Sequence, residues 1–187
     1  MTANTPPPER EDDATLVPRA RQGDRQALQA LFDRHFEGVF RLTLGILRDG
    51  DRAADATQDA FIKAMGGLDS FRGDAPFRTW LYSIARNEAR DAARKRDRNV
   101  EGADDWLEAV PADGPSPLEA LEDGRRAHKL RAAVERLPEK QRMAVSLRVY
   151  DGLPYREIAG IIGSSEGAAR VNYYHGIQRL KEWLEDE

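Results

Sequence analysis

Hydrophobic residues recur at three- and four-residue steps along most of the chain, which is the period of an amphipathic α-helix. Asp24 stands where a helix N-cap is expected, and a predicted helix follows from Arg25 to Arg48. Its apolar face comprises Leu28, Leu31, Phe32, His35, Val39, Leu42 and Ile46. No segment alternates apolar and polar residues as a strand would. The pattern therefore predicts an all-α protein.

The same pattern divides the chain into two small helical units. The first unit is predicted over residues 14–98, with helices at 14–21, 25–48, 52–65 and 76–96. The second is predicted over residues 118–187, with helices at 118–136, 138–150, 155–162 and 164–184. Residues 1–13 are predicted to be a disordered tail, and residues 99–117, rich in Gly, Pro and acidic residues, a flexible linker. Such a linker predicts two units that move independently.

Charge distribution matters more here than net charge. The chain has 29 Lys and Arg against 33 Asp and Glu, a net charge of −4, which by itself argues against nucleic-acid binding. Residues 86–98 and 125–148 are nevertheless rich in Lys and Arg, whereas residues 99–123 are acidic and contain neither. Two basic blocks that flank an acidic tether keep nucleic-acid binding open.

Several functional classes are disfavoured by composition. The chain has no Cys, which excludes disulfides and thiolate metal sites. It has no apolar run of about 20 residues and no signal-peptide layout, so we expect a cytoplasmic protein without membrane insertion. Its three histidines lie on different predicted helices, and no phosphate loop or nucleophile motif occurs. We expect no catalytic residues, no metal and no cofactor.

Residues 155–174 predict a helix-turn-helix. The small Ala159 allows close helix approach, Gly163 can adopt the positive φ that ends the first helix, and Ser164 or Ser165 can cap the second. The exposed part of the second helix would then face a DNA groove. Its candidate contact residues are Arg170, Asn172, Tyr174 and His175. An ordinary helical hairpin is the alternative.

A basic stripe follows an aromatic segment in the first unit. Arginines recur every four residues at Arg86, Arg90, Arg94 and Arg98, which places them along one side of a helix. The aromatic residues before them could stack on unpaired bases. Phe71, in a loop beside Gly73, is the better candidate for base contact, whereas Trp80 has the spacing of a core residue. The alternative for the stripe is a solvated helix face.

Three motifs, the last of them in two parts, resemble one known family. Residues 71–91 closely resemble the promoter-melting and −10-reading segment of extracytoplasmic-function sigma factors, within the sigma-70 superfamily of bacterial RNA polymerase sigma factors. Residues 54–63 resemble that family's helix that binds the polymerase clamp. Leu137–Arg142 and Gly152–Ala159 resemble its −35-reading domain. The segments occur in the family's order and together cover most of residues 14–185.

The resemblance implies an alternative sigma factor that directs core RNA polymerase to promoter DNA and separates the strands of that DNA. It implies polymerase contacts by Asp55, Gln58, Asp59, Phe61, Ile62 and Lys63. It implies −10 contacts by Gly67, Phe71, Trp80, Arg86, Asn87, Arg90 and Arg94, with Gly67, Phe71 and Asn87 forming a pocket for a flipped base. It implies −35 contacts by Ser165, Glu166, Gly167, Arg170, Asn172, Tyr174 and His175.

The resemblance also implies a partner and a role for the linker. An anti-sigma factor, which in this family can be membrane-bound, would mask both units of a chain that is monomeric when free. The acidic linker would either imitate RNA in the polymerase or act as a solubilising spacer. The recognition helix departs from the family's Val-Lys-Ser-Arg-like run, because Asn172 and His175 replace basic residues. We therefore expect weaker phosphate binding.

Two other functions remain open at this point. A dimeric helix-turn-helix repressor would explain residues 118–185 but not the motifs around Asp55–Lys63 and Phe71–Asn87. A sigma-like interaction module would bind a regulator without promoter activity. The basic stripe and the helix-turn-helix both argue against that module.

Overall fold

The computed structural model describes residues 11–99 and 129–185, with side chains at 11–95 and 129–185. The N-terminal unit contains α1 (Asp13–Arg21), α2 (Arg25–Leu47), α3 (Gly50–Gly67), one 3₁₀ turn (Leu68–Ser70) and α4 (Phe77–Asn99). The C-terminal unit contains α5 (residues 129–136), α6 (Glu139–Val149), α7 (Tyr155–Ile162) and α8 (Glu166–Glu185). These described ranges contain no strand, which confirms the all-α prediction.

Two of the predicted segments lie almost wholly outside the described residues. They are the N-terminal tail, of which only residues 11–13 are described, and the acidic linker, of which only Asn99 is described, at the end of α4. Asp12 caps α1 and Asp13 is its first residue, so the prediction of a disordered tail is wrong for these two residues, because the Asp12 carboxylate accepts from the backbone of Thr15. Among the helices at 11–99 and 129–185, none has both the length and the apolar character needed to cross a membrane.

Helix α2 forms the centre of the N-terminal unit. The Asp24 carboxylate accepts hydrogen bonds from the backbone N–H groups of Gln26 and Ala27, which confirms the predicted cap. Thr43 on α2 and Thr57 on α3 are fully buried, and their hydroxyls lie 2.8 Å apart. This hydrogen bond satisfies two polar groups inside the core, as burial requires.

The buried His35 of α2 connects this helix to α1. Its Nε2 lies 2.8 Å from the Asp13 carboxylate, which also accepts a hydrogen bond from Arg34 at 2.5 Å. Burial alone would raise the pKa of Asp13, but the hydrogen bonds and positive charge of His35 and Arg34 hold that pKa below its usual value. The apolar face of α1 is buried at Leu16, Val17 and Ala20.

The C-terminal unit depends on close approach between α6 and α8. At Gly176 an added Cβ would lie 2.6 Å from Cγ2 of Val145, so only glycine allows this helix separation. Leu137, Val145 and Leu180 form the local core. The predicted Gly163 turn is confirmed, since Gly163 follows α7 with φ 65° and ψ 56°.

The two units pack against each other, contrary to the independent movement that the linker suggested. Leu81 of α4 belongs to the same hydrophobic cluster as Leu153 and Ile158 of the C-terminal unit. Arg142 of α6 is buried and donates a 2.7 Å hydrogen bond to the Gly45 carbonyl of α2. Burial lowers the pKa of Arg142 to about 10, which leaves it charged at neutral pH.

We expect Gly176→Ala to destabilise the C-terminal unit by about 1–3 kcal/mol, because the new methyl group overpacks against Val145. Gly167→Ala is the matched control on the same helix, since nothing lies within 4 Å of its added Cβ. Because Gly167 is an exposed residue in the first turn of α8, that substitution should change the free energy of unfolding by less than about 0.5 kcal/mol. Urea unfolding measures both, and equal effects would contradict the close approach.

Candidate polymerase and nucleic-acid interfaces

One side of α3 presents polar and apolar side chains to solvent. Asp55, Gln58, Asp59 and Ile62 are exposed, as the proposed polymerase contact needs. Lys63 is also exposed and pairs with Glu88 of α4 at 2.7 Å. Phe61 differs from the expectation, because it is only 6% exposed and its ring lies 4.6 Å from that of Phe32. Phe61 thus supports the surface from below and does not form it.

Phe36 and Met65 extend this surface but were missed from the sequence. Phe36 of α2 is 54% exposed and stacks on Phe61 with ring centroids 6.1 Å apart. Met65 lies three residues after Ile62 on α3, and both side chains are about half exposed. The sequence signal for Phe36 was its position on α2 outside the predicted buried face, where an aromatic side chain would be exposed to solvent. Large exposed apolar side chains that cluster in this way are typical of protein-binding surfaces.

An aromatic cluster forms where the 3₁₀ turn meets α4. The Phe71 ring lies 5.0 Å from Trp80 and 5.8 Å from Phe77. Gly67 borders it, with an added Cβ 3.4 Å from the Trp80 ring. The structure therefore brings together Gly67, Phe71 and Trp80. Asn87 is exposed and lies about two helical turns further along α4, roughly 10 Å away along the helix axis.

The basic stripe of α4 is partly engaged within the molecule. Arg86 donates to the Asn87 side chain at 2.9 Å and to the Ile161 carbonyl of α7 at 2.6 Å. Arg90 donates to Glu139 of α6 at 2.7 Å, and Arg94 pairs with Asp91 one turn before it. Partial burial and the neighbouring Arg90 lower the pKa of Arg86, but an arginine remains charged at neutral pH.

The helix-turn-helix is formed by α7 and α8. The backbone N–H of Ala168 donates to Oγ of Ser165 at 3.2 Å, so Ser165 is the cap of α8. The rings of Tyr155 and Tyr173 meet edge to face at 5.7 Å and join the two helices. Ile158, Ile161 and Ile162 bury the apolar face of α7. One side of the first half of α8 is left open to solvent.

Most predicted −35 residues lie on the open side of α8. The exposed members are Ser165, Glu166, Gly167, Arg170, Tyr174 and His175. Asn172 is half-buried, and its amide donates to the Ala168 carbonyl one turn earlier at 2.7 Å. One of its two amide N–H donors is therefore used within the helix. Arg170 lies over the Tyr155 ring, 5.2 Å from its centroid, which restricts the guanidinium beside the recognition surface.

Val171 was missed because an apolar residue is easily assigned to the core. It is 52% exposed and lies beside Arg170 on the open face. On a recognition helix, an exposed methyl-bearing side chain can contact the methyl group of thymine.

Two family models match the chain in order. The model for Sigma-70 region 2 matches residues 31–99, and the model for Sigma-70 region 4 matches residues 127–180. The ECF RNA polymerase sigma-E factor of Escherichia coli K12 is 38% identical over 176 residues, covering 90% of this chain and 92% of the relative. The chain is an extracytoplasmic-function sigma factor of the sigma-70 superfamily.

A second relative supports this family assignment and matches nearly the whole chain. The RNA polymerase sigma-H factor of Pseudomonas aeruginosa PAO1 is 32% identical over 183 residues, covering 94% of this chain and 95% of the relative. The protein is thus an alternative RNA polymerase sigma factor.

Solved structures with the same fold include two protein complexes. The sigma factor RpoE from Bartonella quintana, in complex with the anti-sigma factor NepR, matches with a TM-score of 0.71 and 26% identity, covering 84% of this chain and 96% of that chain. CnrH, in complex with the cytosolic domain of CnrY, matches with a TM-score of 0.68 and 24% identity, covering 94% and 98%. The second similarity concerns the fold alone.

We expect Ser165→Ala to destabilise α8 by about 0.5–2 kcal/mol, since it removes the oxygen that caps the helix. Ser164→Ala is the control, because the Ser164 hydroxyl donates only to the neighbouring Ser165 carbonyl. The free energy of unfolding in urea measures the difference. A loss as large in the control would remove Ser165 from the capping role.

Proposed function

We propose that this sigma factor binds core polymerase through α3, opens the −10 element with α4 and the preceding loop, and reads the −35 element with α8. The supporting observation is the order of three surfaces along one chain. These are an exposed mixed surface on α3, an aromatic cluster beside a basic helix, and an open recognition helix. A helix-turn-helix repressor would need only the last.

The polymerase contact combines apolar and polar groups. Ile62, Met65 and Phe36 supply exposed apolar area, and removing such area from water favours association. Asp55, Gln58 and Asp59 lie exposed on the same helix and can pair with basic groups of a partner. The charged residues would set the orientation and the association rate, whereas the apolar residues would supply most of the affinity.

Promoter opening requires a place for an unstacked base. Removing one base from a duplex costs a few kcal/mol, so a receptive surface must offset that cost. Phe71 is half-buried against Trp80, which leaves part of its ring available for stacking beside Gly67. Arg86, Arg90 and Arg94 would hold the phosphates of the separated strand, and Asn87 would hydrogen-bond to a base edge.

The −35 contact would be made by α8 in a major groove. Arg170 would bind phosphate or guanine, and Tyr174, His175 and Val171 would meet base edges. Ser165, Glu166 and Gly167 would lie at the N-terminal end of the helix, where backbone N–H groups favour phosphate. Asn172 donates one amide N–H within the helix, and it would contact DNA through its second N–H or its amide oxygen.

No chemical step is assigned to this chain in the proposed function. Its residues would bind and separate DNA strands, while nucleotide addition belongs to the polymerase. The protein would act in the cytoplasm as a monomer, without metal or cofactor.

An anti-sigma factor is the proposed regulator. The support is the similarity to the Bartonella quintana sigma factor, whose structure contains such a partner. A regulator of this kind would cover the exposed surface of α3 or the recognition helix until a signal releases it.

The polymerase surface predicts a paired experiment. Ile62→Glu should weaken binding to core polymerase at least about tenfold, because it places a charge in the apolar centre of the contact. Val171→Glu is the matched control, since Val171 is equally exposed but lies on α8. It should retain core binding and lose −35 recognition. If both variants bind core polymerase like the wild type, the α3 assignment is wrong.

The role of Asn87 predicts a loss confined to promoter opening. Asn87→Ala should slow strand separation, measured by a fluorescent base analogue in the −10 element, with little change in core binding. A template with an unpaired −10 element should restore most of the activity, because strand separation is then no longer needed. Equal defects on both templates would contradict this assignment.

A further inference from the structure

Helix α1 packs against both elements that carry the aromatic cluster. That cluster comprises Phe71, Phe77 and Trp80. The 3₁₀ turn leads into Phe71, and α4 begins at Phe77. Leu16 of α1 is buried in the same hydrophobic core as Leu68 of the turn and Phe77. The helix therefore lies where it can fix the position of the aromatic cluster.

Two sets of polar contacts hold α1 on α2. At the start of α1, the Asp13 carboxylate accepts from Nη1 of Arg34 at 2.5 Å and lies 2.8 Å from Nε2 of His35. In its last turn, Arg19 donates to the Asp24 carboxylate through Nε and Nη2, at 2.9 and 2.7 Å. Because Asp24 is also the N-cap of α2, the second contact fixes the corner where the two helices meet. Helix α1 is therefore anchored at both ends.

Arg21, the last residue of α1, contacts the turn that precedes Phe71. Its Nη2 donates to the backbone carbonyl of Asp69, which is the middle residue of the 3₁₀ turn. A hydrogen bond from a charged guanidinium is stronger than one between neutral groups. The turn in turn holds Phe71, whose backbone N–H donates to the Leu68 carbonyl at 3.2 Å. Arg21 thus fixes the backbone two residues before the Phe71 ring.

A second contact runs from α1 through the core to the cluster. The side chain of His35 is 8% exposed, and its ring centroid lies 5.7 Å from that of Phe77. Phe77 meets Phe71 edge to face at 5.8 Å and lies 5.7 Å from Trp80. His35 therefore connects Asp13 of α1 to the buried side of the aromatic cluster.

Support of this kind matters because residues 71–76 lie outside any helix. The Phe71 ring therefore needs anchors from other elements to keep one position. A ring that is already held in its receptive position binds a base more tightly than one that must first be ordered, since ordering costs conformational entropy. Side chains that hold a binding group in place contribute to affinity without touching the ligand.

We propose that α1 holds the −10 base surface in its receptive form, and that Arg21 and His35 are the positioning residues through which it acts. Arg21 acts through the Asp69 carbonyl, and His35 acts through Phe77. Neither residue touches DNA. This inference deepens the proposed function and rests on the −10 role of the aromatic cluster.

Binding of a single-stranded −10 oligonucleotide tests this role without the cost of strand separation. The protein is the holoenzyme of core polymerase and the full chain, and the probe is the non-template −10 strand of a promoter that it transcribes, labelled with a fluorescent base analogue. Arg21→Ala should weaken binding about two- to tenfold, the range for loss of one hydrogen bond. Arg21→Lys can still donate to the Asp69 carbonyl and should retain most of the affinity.

Arg25→Ala is the matched control for Arg21→Ala. Arg25 is an exposed arginine at the start of α2, and it makes no hydrogen bond or ion pair within the described residues. Its substitution removes the same charge without loosening the turn, so the oligonucleotide should bind as it does to the wild type.

His35→Gln tests the second contact. Glutamine can still donate to Asp13, but it lacks the ring that meets Phe77, so binding of the oligonucleotide should fall severalfold. Binding to core polymerase through α3 should stay unchanged in this variant and in Arg21→Ala, which shows that the chain is folded. Because Arg21 is exposed, its variants decide the question if His35→Gln does not fold.

Salt dependence separates positioning from direct contact. Each phosphate that a protein neutralises on a single strand changes the slope of log affinity against log salt by about −0.7. Arg21→Ala should leave the wild-type slope unchanged. A slope that is shallower by about 0.7 would make Arg21 a phosphate ligand and overturn its positioning role. Wild-type affinity in both Arg21→Ala and His35→Gln would overturn the role of α1.

Phe71→Ala distinguishes this failure from failure of the proposed function. If Phe71→Ala loses the oligonucleotide while Arg21→Ala and His35→Gln keep it, the role of α1 is rejected and the −10 role of the cluster stands. If the wild type and Phe71→Ala bind it equally, the −10 role of the cluster is rejected, and the role of α1 with it.

Discussion

The packing of α4 is the constraint on which the rest of the structure depends. One side of this helix buries Leu81, Ala85 and Ala89 against the N-terminal unit, and residues at its start pack against α7. Its arginines lie at the boundary between these contacts and solvent. A single helix therefore links the hydrophobic core, the proposed −10 surface and the interface between the two units.

This arrangement gives α4 two competing sets of partners. Backbone and carboxylate oxygens of α6 and α7 accept from Arg86 and Arg90, and phosphate oxygens of DNA could accept from the same groups. Because both partners offer oxygen acceptors, the exchange retains most hydrogen bonds.

The local structure could be predicted from the sequence because short-range chemistry determines it. The cap at Asp24, the positive φ at Gly163 and the cap at Ser165 each follow from one residue and its neighbours. The helical period likewise located the buried face of α2. Family resemblance then supplied the order of the functional segments, which composition alone left open.

Long-range contacts could not be predicted in this way. Periodicity indicated that Phe61 and Ile62 belong to one helix, but the position of Phe32 decides that Phe61 is buried and Ile62 exposed. The acidic, Gly- and Pro-rich linker suggested independent units, yet linker composition carries no information about the complementarity between Glu157 and Arg78. The local pattern likewise did not indicate that the Asn172 amide donates to a carbonyl one turn earlier in α8.

The most direct test of the account is transcription by purified bacterial core polymerase on fragmented genomic DNA, with and without this chain. If the chain is a sigma factor, new transcripts should appear only with the chain and should start downstream of a shared two-part sequence. Absence of such transcripts, together with tight binding of the free chain to a palindromic site, would contradict the sigma-factor function and favour a repressor.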